Sequence, residues 1–219
     1  MPYAQLEDIK LFYKILGDLQ NDRPTLVFLH GGPGIGDHSI YLSYWSIFSK
    51  QLNVIFIDQR ACGRSEKGDP AKWRLTQHGK DVHSFCEVLG IKKPIVAGVS
   101  WGGYVALCYA AQYPAHPKAL ILCNTEAKVS PEERYQAFQR IAGQQAANAV
   151  KEFDAQWNVT TNANYFKYCL PFFAKNAYKP EELAKCIRNP DFWEKFMTKE
   201  HTKFDLTPEL KKYVALSFI

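Results

Sequence analysis

The sequence predicts an α/β fold with a mostly parallel sheet, flanking helices and a helical cap, and three observations carry that prediction. Residues 25–30 (TLVFLH), 53–58 (NVIFID), 94–99 (PIVAGV) and 119–123 (ALILC) are short runs apolar on both faces, as parallel strands covered from both sides require. Helical patterns separate the later runs, and strands alternating with helices build a parallel sheet through right-handed crossovers. Glycine-rich turns follow two of the strands, at 31–34 and around 98–103.

In chain order, residues 3–8 and 9–17 read as a β-hairpin, with Leu11, Tyr13 and Ile15 alternating against Lys10 and Lys14. Residues 74–89 place Val82, Phe85, Cys86 and Leu89 on one helical face, with a start near a cap at Thr76 and a stop at Gly90. A second helix covers 101–113 and ends at Tyr113-Pro114. From about residue 128 the texture changes. Ser130-Pro131-Glu132-Glu133 reads as a capping box with proline at the first helical position. Pro180-Glu181-Glu182 and Thr207-Pro208-Glu209 read as further helix starts. Phe166, Tyr168, Phe172, Phe173, Phe192, Trp193 and Phe196 crowd the same region. The expected division is therefore a core at 1–127, a helical cap at 128–209 lying over the top of the sheet, and the start of a further strand at 210–219.

Composition narrows the function classes. With 219 residues, the chain is one large domain or a core with an insertion. No apolar run approaches the roughly 18 residues of a membrane helix, so no membrane partner is expected. The chain reaches Glu7 and Asp8 without a basic-then-apolar signal segment, which predicts a cytoplasmic protein. The net charge of +5 is mild. Lys92-Lys93 and Lys211-Lys212 are isolated pairs, which argues against nucleic acid as a partner. The six cysteines (62, 86, 108, 123, 169, 186) sit mostly in apolar segments and read as buried reduced thiols. They lack C-x-x-C spacing, so a zinc site is not expected; no other metal and no cofactor is expected either.

The chemistry concentrates at strand ends. Gly98-Val99-Ser100-Trp101-Gly102 is G-x-S-x-G set between an apolar strand and a helix. A serine there sits on a tight strand-to-helix turn with its oxygen projecting above the sheet, next to the positive end of a helix. Gly98 and Gly102 are expected where helix and strand pack too closely for a side chain. His30-Gly31-Gly32-Pro33-Gly34 can bring a backbone N–H toward a reacting carbonyl. The N–H groups of Gly32 and Trp101 are the candidate donors to an oxyanion. His30 reads as a buried turn residue. In Asp58-Gln59-Arg60-Ala61-Cys62-Gly63-Arg64-Ser65, Asp58 and Arg60 are expected to pair and to shape the wall of the site.

HGGPG, DQRACGRS and GVSWGG, in this order, resemble the α/β-hydrolase superfamily and, within it, the proline iminopeptidase (prolyl aminopeptidase) family, over about residues 5–127. Ala61 and Val99 stand where that family carries glycine. The resemblance implies an eight-strand sheet, a cap between strands six and seven, and a serine–aspartate–histidine triad in that chain order. It also implies release of an N-terminal residue, often proline, from short peptides. The family's acid and base follow strands seven and eight, so the expected fold lacks the last strands and those two groups. Ser100, Gly32 and Trp101 then form a half-site whose activity is impaired, since serine without a base is a poor nucleophile. His38, beside the oxyanion loop, and His201, in the cap, lie on the correct side. His116 precedes the strand at 119, at the opposite end of the sheet, and His83 is midway down a flanking helix. Glu126 stands where some hydrolases of this fold place their acid, and Glu194 is a candidate for a substrate ammonium. An esterase or lactonase, or a non-catalytic binding remnant, are the alternatives, so the expected partner is a small peptide, ester or amide. An apolar edge strand at 213–219 is expected to favour self-association through the sheet edge.

Overall fold

The computed structural model describes residues 3–173 and 184–210. Tyr3–Gln5 (β1) and Lys10–Leu16 (β2) pair antiparallel with Ala4 opposite Leu11, which is the predicted hairpin. The four apolar runs are strands Thr25–Leu29 (β3), Asn53–Ile57 (β4), Ile95–Val99 (β5) and Ala119–Cys123 (β6). They assemble in the order β1-β2-β4-β3-β5-β6. β2 runs antiparallel to β4, and the sheet is parallel from β4 through β3 and β5 to β6.

Period-two alternation divides the strand side chains between two cores. Val27, Leu29, Ile55, Ile57 and Val96 face one layer of helices. Leu26, Phe28, Val54, Phe56 and Ala97 face the other side, beneath Ile40 and Tyr41. Both faces are covered, which explains why these strands are apolar without interruption.

The first helical segment is a short one, Leu42–Trp45 (α1), between two 3₁₀ turns. Leu75–Val88 (α2) buries Val82, Phe85 and Cys86, and Gly90 follows it at φ +69°, as predicted. Its start differs from the expectation. Extended Arg74 precedes the helix, Thr76 lies inside the first turn, and the Leu75 N–H donates to the Glu200 carboxylate at 2.8 Å. A distant acid thus takes the place of a local cap. Trp101–Gln112 (α3) packs on α2 and buries most of its length.

Beyond β6 the aromatic-rich stretch is helical: Pro131–Ala142 (α4), Gln144–Ala155 (α5), Val159–Tyr168 (α6), Pro190–Lys199 (α7) and the single turn Thr207–Leu210 (α8). α4 begins at Pro131 as predicted, but the Ser130 side chain makes no capping bond. The capping box is instead at α6, where the Asn158 side chain accepts from the Thr160 and Thr161 N–H groups and Thr161 Oγ1 accepts from the Asn158 N–H. Arg134 holds α4 to α5 through both oxygens of Asp154, at 2.7 and 2.8 Å. The start predicted at Pro180 and the strand predicted at 213–219 lie outside the described residues. Cys62, Cys86, Cys108 and Cys169 are buried free thiols, while Cys123 and Cys186 are half-buried. Among the described residues no helix is long and apolar enough to cross a membrane.

Candidate active site

Ser100 occupies the turn between β5 and α3 with φ 53° and ψ −122°, a region that side-chain-bearing residues rarely enter. Three glycines make the turn possible. A Cβ on Gly98 would stand 2.4 Å from the Gly102 carbonyl oxygen, and one on Gly102 would stand 2.2 Å from that of Leu29. A Cβ on Gly103 would meet the Thr125 side chain at 2.5 Å. The collision predicted for Gly98 and Gly102 is therefore present, and Gly103 shares it. The Ser100 N–H donates to the Cys123 carbonyl at 2.9 Å, which ties the turn to β6. Ser100 is exposed, and among the described residues its hydroxyl makes no hydrogen bond.

The loop after β3 lies against this turn. A Cβ on Gly31 would stand 3.2 Å from the Ser100 Cβ and 2.9 Å from the Val99 carbonyl oxygen, so only glycine allows the approach. The Gly31 N–H is already committed, since it donates to the Tyr41 hydroxyl at 3.3 Å. Gly32, at φ +69°, accepts on its carbonyl from the Ile35 and Gly36 N–H groups. Its own N–H and that of Trp101 make no hydrogen bond to any described residue. Trp101 opens α3, so its N–H lacks an intrahelical partner. The Trp101 ring is buried below, edge-on to His78 at 5.0 Å and to Phe192 at 5.6 Å.

The loop after β4 departs from the expected pairing. Arg60 does not meet Asp58. It forks onto Asp81 (2.7 and 2.9 Å) and Asp8 (3.0 and 2.8 Å), and these carboxylates outweigh its burial to hold its pKa above the usual value. Asp58 accepts instead from the N–H and Nδ1 of His38, at 3.0 and 2.7 Å, and from the Arg64 N–H at 2.9 Å. Burial pushes the Asp58 carboxyl up, but the His38 hydrogen bond and charge outweigh it, and the group sits below the usual carboxylate range. Bidentate guanidinium–carboxylate geometry explains the choice: two acids flank Arg60, one from each side, and both of its edges are filled. Gly63, at φ +55°, is needed because a Cβ there would touch the Asp58 carboxylate. Ala61, where the resembling family has glycine, adopts φ 62°.

The candidate bases fall into distinct settings. His38 is buried and bound to Asp58. His30 is buried as expected; its Nε2 accepts from the Gln59 N–H, which leaves the Nδ1 proton for the Gly31 carbonyl at 2.9 Å. His201 is buried, and burial together with Arg134 lowers its pKa to about 3. His116 sits near the opposite, Ala119 end of β6, as expected, and His83, on α2, packs beside it with ring centroids 4.7 Å apart. Glu126 accepts from the Tyr104 hydroxyl at 2.9 Å with its pKa raised by burial, and Glu194 is exposed. No described histidine hydrogen-bonds Ser100.

Asn189, just before α7, is a contact to the site that no local sequence pattern marks. Its N–H donates to the Gly34 carbonyl at 2.6 Å and its side-chain amide donates to the Ala61 carbonyl at 3.0 Å. Nearby, the Ile187 N–H donates to Asp37 at 3.0 Å. The start of α7 is thereby fastened to the loops that follow β3 and β4.

A mostly parallel sheet, a strained serine on a glycine-flanked strand-to-helix turn and a glycine-rich loop beside it define an α/β hydrolase. The chain belongs to that family: the signature of the alpha/beta hydrolase fold matches residues 24–200. It is similar to proline iminopeptidase of Thermoplasma volcanium, 35% identical over 121 residues, which is 55% of this chain and 40% of that protein. Proline iminopeptidase of Neisseria gonorrhoeae is 34% identical over 125 residues, 55% of this chain and 38% of the relative. These matches span about two fifths of the relatives' own length. The crystal structure of proline iminopeptidase from Mycobacterium smegmatis aligns with a TM-score of 0.62 at 20% identity, covering 91% of this chain and 68% of that one, a likeness of fold.

Proposed function

We propose that Ser100 is the nucleophile of a serine hydrolase of the proline iminopeptidase type, which releases N-terminal proline or a similar residue from short peptides. The strained, exposed backbone position of Ser100 carries this reading. Its Oγ attacks the carbonyl of the N-terminal residue. The N–H groups of Gly32 and Trp101 receive the oxyanion, which two donors can stabilise by several kcal/mol. Collapse expels the amine of the shortened peptide and leaves an acyl-serine for water to cleave. Attack needs a base to take the Ser100 proton, collapse needs that proton handed to the leaving amine, and acyl-serine cleavage needs the base again to take a proton from water. None of the described histidines hydrogen-bonds Ser100, so amide turnover by these residues alone is impaired. Loss of a triad member leaves roughly 10³–10⁴-fold catalysis over water.

A fluorophosphonate probe and two chromogenic substrates test this. The expected result is labelling of Ser100, lost in Ser100→Ala, with slow release of p-nitroaniline from proline p-nitroanilide. Turnover of p-nitrophenyl esters without any anilide cleavage would replace the peptidase reading with an esterase or lactonase. Absence of labelling and of both hydrolyses would leave a binding module.

A further inference from the structure

A second cluster of reactive side chains lies away from Ser100. β5 and β6 are parallel with Val99 opposite Cys123, so Ser100 lies at the Cys123 end of β6. The turn carrying His116 leads into the other end, at Ala119. There His83 and Glu87, one helical turn apart on α2, share a face that meets His116. Ligand atoms of the three residues all lie within 4.8 Å of one another. His116 Nε2 and Glu87 Oε1 are 3.7 Å apart, too long for a hydrogen bond. That distance suits two ligands each about 2.0–2.2 Å from a shared ion.

The two rings are held in place. The Tyr109 hydroxyl bonds His116 Nδ1, which leaves Nε2 as the free nitrogen; Nε2 is buried and has no hydrogen-bond partner among the described residues. His83 is stacked on Tyr113 with ring centroids 3.9 Å apart and planes 14° from parallel. Metal-binding histidines are oriented in this way by a second partner. Glu87 is exposed, which gives an ion a way in. Lys93 bonds the Ala115 carbonyl at 2.5 Å, and its charge beside His116 lowers the affinity for a cation without filling the cluster.

From this geometry we propose that His83, Glu87 and His116 bind a borderline divalent cation such as Zn²⁺, which clamps α2 to the turn between α3 and β6. Two imidazoles and a carboxylate are the donor set such cations favour over Mg²⁺ or Ca²⁺. The expectation of no zinc site rested on cysteine spacing, which does not bear on a histidine–carboxylate site.

The test is titration of the full chain with Zn²⁺ by calorimetry and by thermal melting, with Mg²⁺ as control. One ion per chain and a melting temperature that rises with Zn²⁺ but not Mg²⁺ are expected. Glu87→Gln, at an exposed position, and His83→Ala should each weaken binding at least about tenfold. Saturation with unchanged affinity in both variants overturns the assignment, as does a lack of saturable binding by the wild type. Co²⁺ provides a second readout: a sulfur-to-cobalt charge-transfer band would place the ion on cysteine and overturn it, whereas its absence with retained binding supports the site.

Discussion

Asn189 donates its backbone N–H to the carbonyl of Gly34 at 2.6 Å, and its own carbonyl oxygen stands 2.2 Å from where a Cβ on Gly34 would be. The start of α7 and the oxyanion loop therefore share one contact that only glycine permits.

Gly34→Ala should destabilise the protein by at least about 2 kcal/mol, since φ +70° is unfavourable for alanine and the new methyl meets backbone. Asn189→Ala removes the donor to the buried Ala61 carbonyl and should lose about 1–3 kcal/mol. Urea midpoints at constant m-value check both.

Ser100→Gly should stabilise the chain by about 1 kcal/mol, because glycine relieves the strain of φ 53° at some loss of unfolded-state entropy. Ser100→Ala keeps the strain and should leave stability near wild type. Both variants should lose fluorophosphonate labelling. Equal urea midpoints for all three proteins would show that the turn stores no strain.

Ala61→Gly should also stabilise, by roughly 0.5–1 kcal/mol, as alanine at φ 62° carries a left-handed penalty that slightly exceeds glycine's entropic disadvantage. Thermal and urea unfolding check it; a loss of stability would mean that the buried methyl contributes more than the strain removes.

Stability should fall as pH is lowered from about 6.5 toward 4. His78 is buried between Trp101 and Phe192, and burial lowers its pKa from 6.5 to about 4. The unfolded chain therefore takes up this proton first on acidification. The stabilisation is full above pH 6.5 and is lost through that window, on the order of 3 kcal/mol. His78→Phe should reduce the slope of the urea midpoint over this range, leaving the part contributed by His201 and His30, whose pKa values burial also lowers.

Much of this protein could be read from local pattern alone. The four apolar runs, the hairpin, the stop at Gly90, the proline that opens α4 and the glycines around Ser100 each reflect a restriction on contiguous residues: a period of two, a left-handed turn, a missing N–H, a Cβ with no room. The partners of charged groups followed a different logic. Arg60 found Asp8 and Asp81 rather than Asp58, and Leu75 took Glu200 as its acceptor. Nothing in the local sequence distinguishes these pairs, because a hydrogen bond between residues 52 or 125 positions apart depends on where the folded chain brings two surfaces together. Sequence determined which backbone each segment adopts; packing decided which side chains meet.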